Sequence, residues 1–187
     1  MASLAHEVER KLVEAARENP VLFGTLYERH VDAIYAYALH RLRDRTAAED
    51  VVSETFHKAL ENLDRYEWRG VPFSAWLYRI ASNAIAARYR HEPSLPLDLA
   101  MGVQDEGIGP ERSLLLGERR REVREAVAAL PPEQQQVVIL RYGQDLRNKE
   151  IAAIMGRSEG AIKQLLHRAM QGLQRRLEGR DGRTDET

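Results

Sequence analysis

Asn148-Lys149-Glu150-Ile151-Ala152-Ala153-Ile154-Met155-Gly156-Arg157-Ser158-Glu159-Gly160-Ala161-Ile162-Lys163-Gln164-Leu165-Leu166-His167-Arg168 fills every position that two helices crossing through a tight turn constrain. Ala152 is small enough to let the helices cross closely. Gly156 suits the left-handed backbone that ends the first helix. Ser158 stands where a cap for the second helix belongs. Ile151, Ile154, Ile162 and Leu165 recur at helical spacing and predict a small shared core. The second helix then offers Lys163, Gln164, His167 and Arg168, side chains that reach phosphates and base edges. The segment predicts a helix-turn-helix and points to DNA.

Working outward, the 187 residues give room for one domain or two small ones. Net charge is −1, but it is unevenly placed: seven Lys/Arg face three acids from Arg157 to Arg183, and five Arg face two acids between Arg65 and Glu92. Such runs are usually solvated helix faces. Here both fall on segments with other nucleic-acid features. Cysteine is absent, which excludes a disulfide framework and thiolate-bound zinc. The start, Met1-Ala2-Ser3-Leu4-Ala5-His6-Glu7, has no basic region followed by an apolar stretch, and no run approaches a membrane span. These features predict a cytoplasmic protein without membrane insertion.

The pattern is helical nearly throughout. Helices are predicted over about Leu4–Arg17, Val21–Arg43, from a capping box at Thr46-Ala47-Ala48-Glu49 through Leu63, and over Phe73–Arg90. His91 to Pro110 is rich in Gly and Pro and poor in large apolar residues, so it reads as a flexible linker. A charged helix is expected over Glu111–Leu130. Pro131-Pro132-Glu133 stops it and starts another. The last helix is expected to reach Leu177, with a disordered polar tail beyond. The fold class is therefore all-α: a first helical domain over residues 1–91, a linker over 92–110, a helix-turn-helix domain over 111–178, and a tail over 179–187.

Three stretches, in order, resemble the bacterial RNA polymerase sigma factors of the extracytoplasmic-function (ECF) type. They are Ala48-Glu49-Asp50-Val51-Val52-Ser53-Glu54-Thr55-Phe56-His57-Lys58-Ala59-Leu60, then Phe73-Ser74-Ala75-Trp76-Leu77-Tyr78-Arg79-Ile80-Ala81-Ser82-Asn83, then Leu130-Pro131-Pro132-Glu133-Gln134-Gln135-Gln136-Val137 with the helix-turn-helix behind it. With flanking helices the resemblance covers about residues 20–90 and 112–177. There are departures. Ser53 stands where the family often has Gln, and the recognition helix reads Gly160-Ala161-Ile162-Lys163-Gln164-Leu165 rather than the family's Gly-Thr-Val-Lys-Ser-Arg. Arg147 stands where a Ser usually opens the first helix of the motif, leaving Asp145 or Asn148 to cap it.

The resemblance implies a protein that binds core polymerase at its largest-subunit clamp and flap regions and directs it to promoters. It assigns Asp50 and Glu54, one turn apart on one helix face, to core binding. It assigns Arg65, Trp68, Arg69, Phe73, Arg79, Asn83, Arg88 and Arg90 to the melted −10 element, where aromatic faces stack on bases and arginines follow the backbone. Trp68 and Phe73 can equally plug the domain core, and the spacing of Trp76, Leu77 and Ile80 favours the core for those three. Asn83 carries both donors and an acceptor, which suits a base edge. Ser158, Lys163, Gln164, His167 and Arg168 fall to the −35 duplex, with Lys163 and Arg168 able to position the helix through phosphates. Many proteins of this type are held by an anti-sigma protein.

Catalysis has no support in the sequence. The six His are scattered, no metal-ligand spacing occurs, and there is no Gly-Lys phosphate loop, so no metal, cofactor or small-molecule substrate is expected. Two rival readings remain. One is a LuxR-type helix-turn-helix activator, which calls for a signal-receiving N-terminal domain, usually α/β. The other is a sigma-like decoy that binds an anti-sigma protein, a type usually fused to a phosphate-receiver domain.

Overall fold

Asn19-Pro20 breaks the first helix, α1 (Ala2–Glu18). Proline cannot extend that helix, and the Asn19 side chain accepts from the Val21 N–H at 3.2 Å to start a 3-10 turn over Pro20–Leu22. Helix α2 (Phe23–Leu42) follows and ends at Arg43, whose φ of 57° is left-handed. Asp44 caps α3 (Arg45–Glu61), its carboxylate accepting from the Ala47 N–H at 2.8 Å. This corrects the capping box expected at Thr46: Asp44 reaches the free N–H first, and Thr46 already lies inside the helix. A second 3-10 turn (Leu63–Arg65) and a loop lead into α4 (Phe73–His91).

This computed structural model describes residues 2–68, 70–91, 119 and 121–181. The linker expected over 92–110 and the start of the charged helix at 111–118 lie outside those residues, as do Arg69 and the tail from 182. Residues 121–128 form a helix, α5. Pro132 occupies the first turn of α6 (Pro132–Val138), where its missing N–H costs nothing. A wide π turn over Ile139–Gly143 continues it, closed by the Gln144 N–H on the Ile139 carbonyl at 3.1 Å. Then come α7 (Asn148–Met155) and α8 (Glu159–Asp181). Helix α8 thus runs through 179–181, which the sequence had placed in the tail. Among the described residues there is no strand.

Two apolar groups hold these helices. Leu26, Ile34 and Tyr37 of α2, Val51 of α3, and Phe73, Leu77 and Ile85 of α4 are 1% exposed or less. Val137, Leu140, Ile151 and Ile162 are fully buried where α6, α7 and α8 meet. Burying each such side chain contributes about 1.5–3 kcal/mol before the entropy of ordering is subtracted. The two groups adjoin, because α7 packs along α4 and the π turn meets α2.

Candidate nucleic-acid interface

The helix-turn-helix forms for the local reasons its sequence suggests. Gly156 adopts φ 64°, a conformation that a Cβ would strain, and turns the chain out of α7. The Ser158 hydroxyl accepts from the Ala161 N–H at 3.2 Å and caps α8. At the start of α7 neither Asp145 nor Asn148 caps. Glu150 does that work from inside the helix, accepting from the Arg147 N–H at 2.7 Å while its other oxygen holds the Arg147 guanidinium at 3.2 Å. Asp145 is unsuited because its own backbone is left-handed, φ 50°.

Ile162 and Ala169 face inward from α8, which leaves Lys163, Gln164, His167 and Arg168 together on the exposed side. His167 shares a 3.1 Å hydrogen bond with Gln171. Lys163, Gln164 and Arg168 meet no hydrogen-bond or ion-pair partner among the described residues. Arg175 and Arg176, nearer the helix end, bond backbone carbonyls: Gln171 at 3.3 Å and Ala129 at 2.9 Å.

A second exposed face lies on α4. Arg79, Asn83 and Arg90 follow one another at helical spacing, all exposed and without partners among the described residues. Arg65 is exposed just before the loop, and Trp68 is half-buried within it. Phe73 is different: it is 0% exposed, so its ring has no face left for a base. Its place among the −10 contacts is therefore corrected to the core. It belongs to an aromatic cluster with Tyr66 at 5.3 Å and Trp76 at 5.4 Å, in which Tyr66 also meets Trp76 at 4.8 Å and Trp68 at 6.4 Å between centroids. Burial first, then the Glu9 carboxylate, pushes the Tyr66 hydroxyl up to about 12. Arg88 is partly exposed and pairs with Asp50 of α3 at 2.8 Å.

The third surface is on α3. Asp50 and Glu54 do share a face, but each carboxylate has a basic neighbour, Arg88 for Asp50 and Lys58 for Glu54. Beside them, α2 and α3 enclose a cleft of about 400 Å³ lined by Tyr27, Val31, Tyr35, Val52 and Phe56, with Asp32, Glu49 and Ser53 at its polar edge. Tyr27 is 42% exposed and rests edge-on against Phe56 at 4.7 Å.

The Sigma-70 region 2 family matches residues 26–93, and the Sigma-70 region 4 family matches residues 120–173. The ECF RNA polymerase sigma factor SigL of Mycobacterium tuberculosis is 30% identical over 173 residues, which cover 88% of this chain and 93% of SigL. The chain belongs to the ECF sigma factors. BldN of Streptomyces coelicolor, another ECF RNA polymerase sigma factor, is 36% identical over 172 residues; the match takes in 89% of this chain but spans only 65% of BldN's length. Among solved structures, CnrH in complex with the cytosolic domain of CnrY superposes with a TM-score of 0.69 at 27% identity, over 91% of this chain and 97% of that one.

Sequence reasoning about this sigma factor missed one part of the candidate site. The α2 wall of the cleft was not singled out, because Tyr27, Val31 and Tyr35 read simply as apolar helix positions. Trp76, for which helical spacing favoured the core, does pack against the core cluster, partly buried and one turn before Arg79. The structure also separates arginines that the sequence grouped. Arg79→Ala is expected to weaken promoter binding by the polymerase holoenzyme and to lower its salt slope by about one unit. Arg88→Ala should leave that slope unchanged, since its guanidinium is already paired with Asp50. Salt titrations of the two variants decide this, and equal slopes would put both arginines on the DNA.

Proposed function

We propose that this chain binds core RNA polymerase and directs it to promoters, reading the −35 element as duplex through α8 and the −10 element as melted strand through α4 and the loop before it. The observation that carries the reading is the pair of separate faces, Lys163-Gln164-His167-Arg168 on α8 and Arg79-Asn83-Arg90 on α4, both exposed on a chain of net charge −1. Asn83 and Gln164 are the base-reading candidates, since each amide can bond an adenine edge at two points, worth roughly 1–3 kcal/mol of discrimination. Arg168, one turn beyond Gln164, is suited to phosphate. The chain itself catalyses nothing in this reading; the polymerase makes the RNA. It acts in the cytoplasm, where the polymerase is, and no described helix is long and apolar enough to cross a membrane.

The cleft between α2 and α3 and the acids beside it form the proposed core-binding surface. An apolar recess with a charged rim is how protein interfaces are generally built. CnrH was solved in complex with the cytosolic domain of CnrY, and a protein partner, of the anti-sigma kind that the family resemblance implies, is proposed for this chain as well. Nothing favours the LuxR-type reading, whose N-terminal sensor domain has no counterpart in the all-helical residues 2–91.

The test is transcription from purified core polymerase with this chain as the only added factor, read on a randomised promoter library. Asn83→Ala should flatten preference at one or two −10 positions, and Gln164→Ala at one −35 position. Arg168→Ala should weaken all sequences alike. If the chain adds no promoter-specific initiation to core, the reading fails.

A further inference from the structure

Helix α1 lies before residue 26, where the match to Sigma-70 region 2 begins, yet it makes the contacts that fix the loop before α4. At the loop's entrance the Arg17 guanidinium donates to two backbone carbonyls, Leu63 at 3.0 Å and Tyr66 through a shorter contact. At its exit the Glu9 carboxylate accepts from the Phe73 N–H at 3.0 Å. That N–H is one of the donors a helix leaves unpaired at its start, and a carboxylate there also meets the positive end of the helix dipole. Glu9 is itself only 7% exposed, and its second oxygen lies 3.1 Å from Nε2 of His30 on α2. Arg17 lies eight positions after Glu9, about 12 Å along a rigid helix. One helix therefore sets the distance between the two ends of the loop.

Between those anchors stand Trp68 and, at the first of them, Arg65. Tyr66 meets the rings of Trp68, Phe73 and Trp76, so fixing its carbonyl fixes the aromatic cluster on which Trp68 leans. An unbraced loop must be ordered each time it binds, and that entropy is subtracted from affinity. We infer that Glu9 and Arg17 are positioning residues for −10 recognition: α1 holds the Arg65–Phe73 loop in the shape that receives the melted strand, while contributing nothing to the core-binding cleft. The inference rests on the −10 reading of that loop proposed above.

The experiment uses the full chain with core polymerase. Glu9→Ala with Arg17→Gln removes both anchors. Open-complex formation on a cognate promoter should fall about tenfold or more, since charge-assisted bonds to backbone are lost at both ends. Preference at the −10 positions should flatten, while affinity for core stays within about twofold. Glu9→Gln keeps an acceptor for the Phe73 N–H and should retain most of the activity that Glu9→Ala loses. Arg17→Lys, with one donor centre in place of a fork, should fall between wild type and Arg17→Gln. The single variants carry the same readouts if the double variant does not fold. A parallel loss of core affinity and promoter opening would make α1 a general fold support and overturn the inference, as would unchanged opening. Trp68→Ala and Asn83→Ala separate the two levels. If they alter −10 preference and the α1 variants do not, only the bracing role falls. If they too leave preference unchanged, the loop is not a reader and the inference falls with that reading.

Discussion

Reversing both acids of α3, Asp50→Lys with Glu54→Lys, is expected to abolish co-purification of the full chain with core polymerase, a loss of at least about a hundredfold in affinity. The magnitude follows from where the charges sit. Asp50 and Glu54 each directly follow a residue of the cleft's polar edge, Glu49 and Ser53, so a partner filling the cleft lined by Tyr27, Val31, Tyr35, Val52 and Phe56 passes next to them. Like charges brought together at a desolvating interface cost several kcal/mol. Stability should change far less. The Asp50–Arg88 and Glu54–Lys58 pairs are largely exposed, and such pairs contribute about 0–1 kcal/mol each. Thermal unfolding of the variant therefore serves as the control. Arg88→Ala, which frees Asp50 without reversing it, should leave core binding intact. Undiminished binding of the double reversal would move the core interface away from α3.

What the sequence made legible was local. The helix-turn-helix could be read because Gly156, Ser158 and the isoleucine spacing act within a few residues of one another, and all three behave in the structure as their chemistry requires. The exposed α8 face followed from the same periodicity. Even so, local rules misplaced two caps, since Asp44 outcompetes Thr46 and Glu150 acts from inside α7. The larger misses come from contacts between distant residues. Phe73 resembles an exposed loop aromatic until α1 and α2 close over it, with Glu9 reaching its N–H across 64 residues of sequence. The Arg88–Asp50 pair likewise joins α4 to α3 across 38 residues, which no local pattern shows. No periodicity encodes such pairs, because each depends on which helix faces pack together.

The last expectation concerns how the two DNA faces relate, and it too rests on distant contacts. In the free chain the Tyr78 hydroxyl on α4 donates to Gln144 at 2.7 Å, and Gln136 donates to Ser82 at 3.0 Å. Arg43 adds a bond to the Arg124 carbonyl at 2.7 Å. Tyr78 and Ser82 are immediate neighbours of Arg79 and Asn83, so the helix-turn-helix unit is hydrogen-bonded to the helix proposed to read the −10 element. The −10 and −35 elements are named for positions about 25 base pairs apart, about 85 Å along straight B-form DNA. Helix α8, at 23 residues, is only about 35 Å long. With these bonds intact the two candidate faces lie on helices packed into one body, so the bonds are expected to open if α4 and α8 take the −10 and −35 elements as proposed. The three hydrogen bonds amount to about 2–4 kcal/mol net, and parting the α7–α4 packing adds to that, against about 12 kcal/mol for a nanomolar complex. Energy transfer measures it directly, because the chain has no native cysteine and Thr25→Cys with Glu178→Cys gives a unique dye pair. Transfer should be high in the free chain and drop sharply once core and promoter DNA are bound. Joining Ser82→Cys to Gln136→Cys with a short reducible cross-linker should block open-complex formation until the linker is reduced. Tyr78→Phe removes a single oxygen and keeps the ring that packs on Tyr37 at 5.3 Å, so it should lower transfer in the free chain and tighten promoter binding up to about tenfold. Transfer that stays high in the promoter complex, or a cross-linked chain that still opens promoters, would mean that the two faces work without separating.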